Sequence, residues 1–263
     1  WTNWRGMSGN TPGTMRMFDA PGTLPADWPA PPQVRAVTTL RSGGVSAAPF
    51  DTLNLGDHVT DDAAAVRGTR ARLRTHLALP GEPLWLKQVH GTQVVDAATA
   101  DPGVTADGSY TRRAGVVCAV LTADCLPVFL CDRAATVVAV VHAGWRGLAA
   151  GVIEQGLAAM GAPAREVLAW LGPAIGPQAF EVGAEVRQVF VDQQPAAHSA
   201  FRENASGRFF ADLYALARLR LAAAGVTAVH GGGACTYREG RQYFSYRRDG
   251  VTGRMASLIW LQP

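Results

Sequence analysis

Lysine is nearly missing from this chain of 263 residues, whose 24 basic residues are 23 arginines and the single Lys87. They are scattered, and with a formal charge of only +3 they form no basic stripe of the kind a bound polyanion needs. A nucleic-acid partner is therefore not expected. Long apolar runs are also missing, since none reaches the ~18–20 residues required to cross a bilayer. The richest stretch, Gly115 to Cys131, is interrupted by Asp124 and Pro127. Trp1 to Asn10 carry neither a basic n-region nor an apolar h-region, so no signal peptide is expected. No membrane association is expected either, and a cytoplasmic location follows by default. Cysteine is scarce: only Cys118, Cys125, Cys131 and Cys235 occur. If Cys125 to Cys131 is extended, it spans about 20 Å, far beyond the ~7 Å Cα limit of a disulfide. Free thiols in a reducing compartment are the expectation.

What is present is core material. Hydrophobic residues make up 48% of the chain against 17% charged, enough for a large packed interior. Residues 1–33 are rich in Pro, Gly and Thr and read as an N-terminal tail or extended wrap, with Trp4 and Trp28 as anchors. From residue 34 to 263 the pattern is ordered and without a linker, which predicts a single catalytic domain. Alternation predicts a strand over Val34 to Arg41, closed by the turn Ser42-Gly43-Gly44. Asp61-Asp62 caps a helix over Ala63 to Leu77. Pro83 to Val89, Gln93 to Ala97, Gly115 to Thr122, Val128 to Cys131 and Thr136 to His142 read as strands buried on both faces. Helices are predicted over Gly147 to Met160, Val182 to Val191 and Asp212 to Ala224. Further strands are predicted over Thr227 to His230, Tyr243 to Tyr246 and Met255 to Leu261. Strands interleaved with helices indicate a mixed α/β (α+β) architecture, a layered sandwich with mixed sheets.

Three segments place metal-capable side chains where an apolar run meets a turn. They are Lys87-Gln88-Val89-His90-Gly91, Thr122-Ala123-Asp124-Cys125-Leu126-Pro127 and Val141-His142-Ala143-Gly144-Trp145-Arg146-Gly147. A thiolate and two imidazoles form a borderline-soft donor set that suits zinc. Three protein ligands would leave the fourth tetrahedral position open, as in catalytic sites. The spacing of His90, Cys125 and His142 matches no compact ligand motif. The same residues read as a buried cysteine with two hydrogen-bonded core histidines, or as a Cys–His hydrolase with Cys125 as nucleophile.

Taken together with further motifs, these segments resemble the bacterial polyphenol oxidase/laccase-domain family, also called the YfiH-like or peptidoglycan-editing-factor family. The additional motifs are Thr39-Leu40-Arg41-Ser42-Gly43-Gly44-Val45-Ser46, Leu53-Asn54-Leu55-Gly56, Ala106-Asp107-Gly108, Leu171-Gly172-Pro173-Ala174-Ile175-Gly176 and Phe244-Ser245-Tyr246-Arg247-Arg248. They run in register from about residue 34 to 261. The resemblance implies a layered fold akin to a cysteine-hydrolase toxin domain, with His90, Cys125 and His142 as zinc ligands. It implies phosphorolysis of purine nucleosides (adenosine, inosine, methylthioadenosine) with adenosine deamination alongside. A true laccase is excluded by counting. A multicopper oxidase needs about eight histidines for its trinuclear cluster besides those of a His₂Cys site. This chain has six, His58, His76, His90, His142, His198 and His230, and no His-X-His pair.

A phosphorylase holds phosphate, ribose and purine, and arginine's planar fork suits the anion. Arg41 and Arg146 sit in motif turns and are the anion candidates, with Arg248 beside them. Gln88 is in phase with His90 on an extended strand, so both are expected to face the pocket. Asn54 is a candidate for the ribose hydroxyls. Asp124, next to the cysteine, is the candidate proton shuttle, and it reads equally as a turn or support residue. The implied partners are a purine nucleoside and phosphate, and a monomer is expected. Copper acquired during handling would compete with Zn²⁺, because it outranks zinc in intrinsic affinity. Two other functions use the same residues. One is a hydrolase editing a cell-wall precursor, a muramyl nucleotide carrying serine. The other is a binding module built on a closed structural zinc, with His58 or Cys235 as the fourth ligand.

Overall fold

The computed structural model describes residues 22–263. Two sheets form the interior. The first is antiparallel, in the order β1 (Thr23–Pro25), β2 (Val34–Thr39), β13 (Met255–Leu261), β5 (Val117–Thr122). The second is mixed and has six strands, β12 (Ala228–Gly231), β8 (Val167–Leu171), β6 (Leu126–Asp132), β7 (Val138–Ala143), β4 (Gly108–Thr111) and β3 (Val94–Asp96). Its outer pairs, β12–β8 and β3–β4, are parallel, and the inner ones are antiparallel. A small antiparallel sheet of β10 (Phe201–Glu203), β11 (Phe209–Ala211) and β9 (Glu181–Val182) lies beside them.

Period-two alternation explains why both faces of these strands are apolar. Cys118 and Val120 of β5 point into a core shared with Phe129, Cys131, Val138 and Val140 of the second sheet, so the two sheets pack face to face. Phe129 and Trp170 stack there with ring centroids 5.5 Å apart. The opposite side chains of β5, Val117, Ala119 and Leu121, pack with Leu73 and Leu77 of α1 (Ala63–His76) and its C-cap. On the far side of the second sheet, Leu130, Val141 and Ala169 meet Leu148 of α2 (Trp145–Ala150), Ile153 of α3 (Val152–Met160), Val186 of α4 (Ala184–Gln193) and Leu216 of α5 (Leu213–Ala223). The order helix, sheet, sheet, helices makes a four-layer α+β sandwich. Among the described residues no helix is long and apolar enough to cross a membrane.

Several elements differ from the sequence pattern. Gly151 takes a left-handed backbone (φ 99°), so the segment predicted as one helix over Gly147 to Met160 is two, α2 and α3. Tyr243 to Tyr246 is not a strand. Tyr243 and Phe244 fill a small core with Met255, and Ser245 caps the one-turn α6 (Tyr246–Asp249). Pro83 to Val89 forms only isolated bridges, Leu84 to Cys118 and Lys87 to Thr105. Val182 belongs to β9, and the helix expected from it begins at Ala184. β8, which the pattern does not flag, is a fully buried apolar run whose parallel and antiparallel neighbours leave no polar alternation to read. At the other end, Thr23–Pro25 pairs with β2, and Trp28 packs against the inter-sheet core, while Trp4 lies outside the described residues.

Candidate metal centre and substrate cavity

The connection from β5 to β6 passes from one sheet to the other in three residues, Ala123, Asp124 and Cys125. So short a crossing forces a sharp turn, and Asp124 takes a positive φ of 94° to make it. The β6–β7 register pairs Leu126 with Ala143 and Pro127 with His142, which brings Cys125 alongside the end of β7. His90 arrives from the loop before β3, also in the left-handed region (φ 61°). The ligand atoms of His90, Cys125 and His142 thereby lie within 4.8 Å of one another. Cys125 Sγ is 3.7 Å from His90 Nε2, and the two imidazole rings meet edge to face at 4.7 Å.

Three observations fit a metal to this cluster. The donors are one thiolate and two imidazoles, the set that suits zinc. Gly144 leaves the room for them, because a Cβ there would lie 2.7 Å from His90 Cδ2 and 3.1 Å from Cys125 Sγ. His142 Nδ1 is taken up by Asp107 Oδ1 at 2.9 Å, which leaves Nε2 for an ion, the usual arrangement behind a ligating histidine. Neither His58 nor Cys235 joins the cluster. Cys235 Sγ instead accepts the Gly176 N–H at 3.3 Å.

Electrostatics favours the ligating form of the cysteine. Burial alone would raise the Cys125 thiol, but His142 and His90 outweigh it and bring it down to about 6. The same pairing, helped by Asp107, holds His142 up to about 9 against its own desolvation. Cys118 and Cys131 have no such neighbours, and burial pushes both up to about 12.

The cluster forms one wall of a cavity of about 530 Å³. Of the expected substrate contacts, Arg146 and Gln88 line it. Gln88 is committed to the backbone, with its Oε1 accepting the Leu121 N–H at 2.7 Å and its Nε2 donating to the Leu121 carbonyl at 2.9 Å. Three others are not in the lining. Arg41 donates to the Gly240 carbonyl at 2.8 Å and lies over Phe244. Arg248 holds the carbonyls of Thr236, Tyr237 and Tyr243. Asn54 is fully buried: it accepts the N–H groups of Gly56 and Arg254 and donates to Asp61. Asp124 lines the cavity, with one carboxylate oxygen accepting the Thr236 hydroxyl at 2.6 Å and the other the Arg247 N–H at 2.7 Å.

Sequence reasoning missed Arg247, Arg254 and Phe180 as lining residues; Tyr246, an aromatic candidate for the purine pocket, lines the cavity with them, as does His58, a candidate only for the fourth metal ligand. Arg247 lies over Phe180, Arg254 over Tyr246, and Arg254 carries its charge half-hidden from water. The motif Phe244 to Arg248 contained the signal for two of them, but not which arginine faces inward. Asp107 read equally as a candidate carboxylate and as a turn former in Ala106-Asp107-Gly108, and it is fully buried behind the cluster.

Comparison with known proteins agrees with this geometry. A family model described as multi-copper polyphenol oxidoreductase laccase matches residues 35–262. A purine nucleoside phosphorylase of Pseudomonas aeruginosa is 57% identical over 242 residues, covering 91% of this chain and 98% of its own. The Escherichia coli purine nucleoside phosphorylase YfiH is 51% identical over 236 residues, covering 89% and 96%. Among solved structures, a Neisseria meningitidis protein superposes with a TM-score of 0.89 at 53% identity, covering 92% of this chain and all of its own. YlmD from Geobacillus stearothermophilus gives 0.87 at 33% identity, covering 93% and 98%. A match over nearly the whole ordered chain, in sequence and in fold, means that the chain belongs to the polyphenol oxidoreductase laccase family of YfiH-like proteins, with six histidines that cannot build the multicopper centre that description names.

Proposed function

We propose that the chain is a zinc-dependent purine nucleoside phosphorylase acting on adenosine, inosine or methylthioadenosine, with adenosine deamination as a side activity. The observation that carries the reading is one cavity in which the His90–Cys125–His142 cluster faces Arg146, Arg247 and Arg254 beside Tyr246 and Phe180. The names of the relatives support it. Zinc, when bound by the three ligands, supplies a Lewis-acidic charge that no side chain can. The arginines bind and orient hydrogen phosphate by charge-assisted hydrogen bonds. Its oxygen attacks C1′ of the ribose, the C1′–N9 bond breaks with its electron pair to the purine, and the phosphate proton passes to the base. The products are the free purine and ribose 1-phosphate. Tyr246 and Phe180 offer faces on which a purine can stack. Asp124 serves this site by fixing the turn that carries Cys125.

The reading places one catalytic domain over residues 34–263, reached by a tail or wrap over 1–33 of which Thr23–Pro25 is an edge strand. The reading also assigns the chain to the cytoplasm, a location that four free cysteines suit, and takes it as a monomer. The test is phosphate-dependent release of adenine from adenosine by metal-analysed wild type and Cys125→Ala. Zinc near one per chain, with turnover that needs phosphate and disappears in the variant, is expected. Full turnover in Cys125→Ala would overturn the site. Zinc without nucleoside turnover would point to the cell-wall amide substrate instead.

A further inference from the structure

We propose that Asp107 is the positioning residue of the metal centre, one buried carboxylate that fixes two of the three ligands at once. The inference rests on the metal-binding part of the proposed function and not on its substrate. His90 and His142 come from different elements, a loop and β7, and nothing in their own segments fixes their relative placement. Apart from the third ligand, Cys125, Asp107 is the residue bonded to both. Its Oδ1 accepts the His90 N–H at 2.9 Å, and its Oδ2 accepts Val89 N–H at 3.2 Å and Gly91 N–H at 2.7 Å. Three successive amides converging on one carboxylate hold the loop in the turn that gives His90 its φ of 61°. That backbone is strained for a non-glycine residue, and the anchored amides offset the strain.

On the other side Oδ1 meets His142 Nδ1 at 2.9 Å, and the Asp107 carbonyl accepts the His142 N–H at 2.7 Å. Both carboxylate oxygens already accept backbone N–H groups, so Nδ1 is the donor. The Nε2 lone pair is then the one presented to a metal. The main chain of Asp107 is fixed in turn by its own N–H, which donates to the Gln93 carbonyl at 2.9 Å. The surroundings are tight as well: a Cβ on Gly91 would lie 3.3 Å from Oδ2, and one on Gly147 2.7 Å from the Gly91 carbonyl. Loop, carboxylate and histidine thus form a single packed unit that lacks slack for a misplaced ligand.

The test compares zinc affinity, by competition with a chromogenic chelator, in wild type, Asp107→Asn and Asp132→Asn. Asp132 is the control because it is also a buried carboxylate accepting backbone N–H groups, from Thr136 and Val137, at the opposite end of β6. Loss of a carboxylate supporting a ligand weakens metal binding about 10–100-fold. That loss is expected for Asp107→Asn, with zinc affinity unchanged in Asp132→Asn even where its melting temperature falls equally. Zinc affinity of Asp107→Asn within twofold of wild type would overturn the proposal, as would an equal loss in both variants. A second measurement needs no variant. In zinc-loaded wild type, ¹⁵N NMR is expected to show His142 protonated at Nδ1 and coordinated through Nε2, and coordination through Nδ1 would overturn the proposal even if Asp107→Asn fails to fold. No readout involves a nucleoside, so these outcomes are independent of the phosphorylase assay.

Discussion

Cys125 differs from the buried Cys118 and Cys131 in its two imidazole neighbours and in its partial exposure, and that difference is measurable. In metal-stripped protein, alkylation of Cys125 by iodoacetamide should hold constant from pH 8 down and fall with a midpoint near 6, where its thiolate protonates. Cys118 and Cys131, pushed up to about 12, should not react over that range. The stability linkage follows the same signs. The depressed Cys125 stabilises the metal-free fold above its unfolded value, and that contribution is lost as pH falls through about 6. The raised His142 contributes below its unfolded value and loses that contribution as pH rises through about 9. The two contributions change in opposite directions over the same window, about 6 to 9, so the melting temperature of stripped protein is expected to stay nearly level there, and a steep one-sided trend would contradict the pairing.

The arginines show where the sequence stops being readable at this scale. A guanidinium in a motif turn is a good anion candidate until its partner is known, and Arg41 finds its partner 199 residues away at Gly240. Arg247 and Arg248 are neighbours in one helical turn, so they point about 100° apart: Arg247 lines the cavity while donating to the Glu181 carbonyl, and Arg248 turns to the carbonyls of Thr236, Tyr237 and Tyr243 outside it. Arg146→Ala is therefore expected to raise KM for phosphate by about tenfold or more, the loss of one charge-assisted hydrogen bond of ~1.5–3 kcal/mol. Arg248→Ala should lower the melting temperature and leave that KM unchanged. Steady-state kinetics with phosphate varied separates them.

Among the elements, the strands that frame the metal cluster were legible. β5, β6 and β7 are buried along their whole length and flanked by Asp, Pro or Gly, and sequence alone located each to within a few residues. Tyr243 to Tyr246 misled because a short aromatic run fits a strand and a loop plug equally. The two-helix reading of Gly147 to Met160 needed the backbone of Gly151, which composition does not reveal. Gly144 lies at the point where β7 becomes α2, and its missing Cβ is the space into which the imidazole and thiol converge. Gly144→Ala keeps an ordinary backbone there, φ being −63°. Zinc content is expected to fall well below one per chain while far-UV circular dichroism stays native, and full zinc occupancy would show that the cluster has more slack than the distances allow.

At the scale of the whole molecule, the fold class was legible but the pairing was not. Alternation told which residues were buried; it could not tell that β13 lies between β2 and β5, or that two sheets face each other across Phe129 and Trp170. The metal centre stands at the joint between those sheets. Cys125 lies on the three-residue crossing from the first sheet to the second, while His142 belongs to the second sheet itself. An ion gripped by both would act as a rivet across the sandwich, holding the layers as well as the chemistry. Chelation should then be felt beyond the cavity, as faster amide deuteration in β7 and with it in β5 and β13, two strands that supply no ligand, so that the protein's grip on its ion could be followed in the breathing of the whole sandwich.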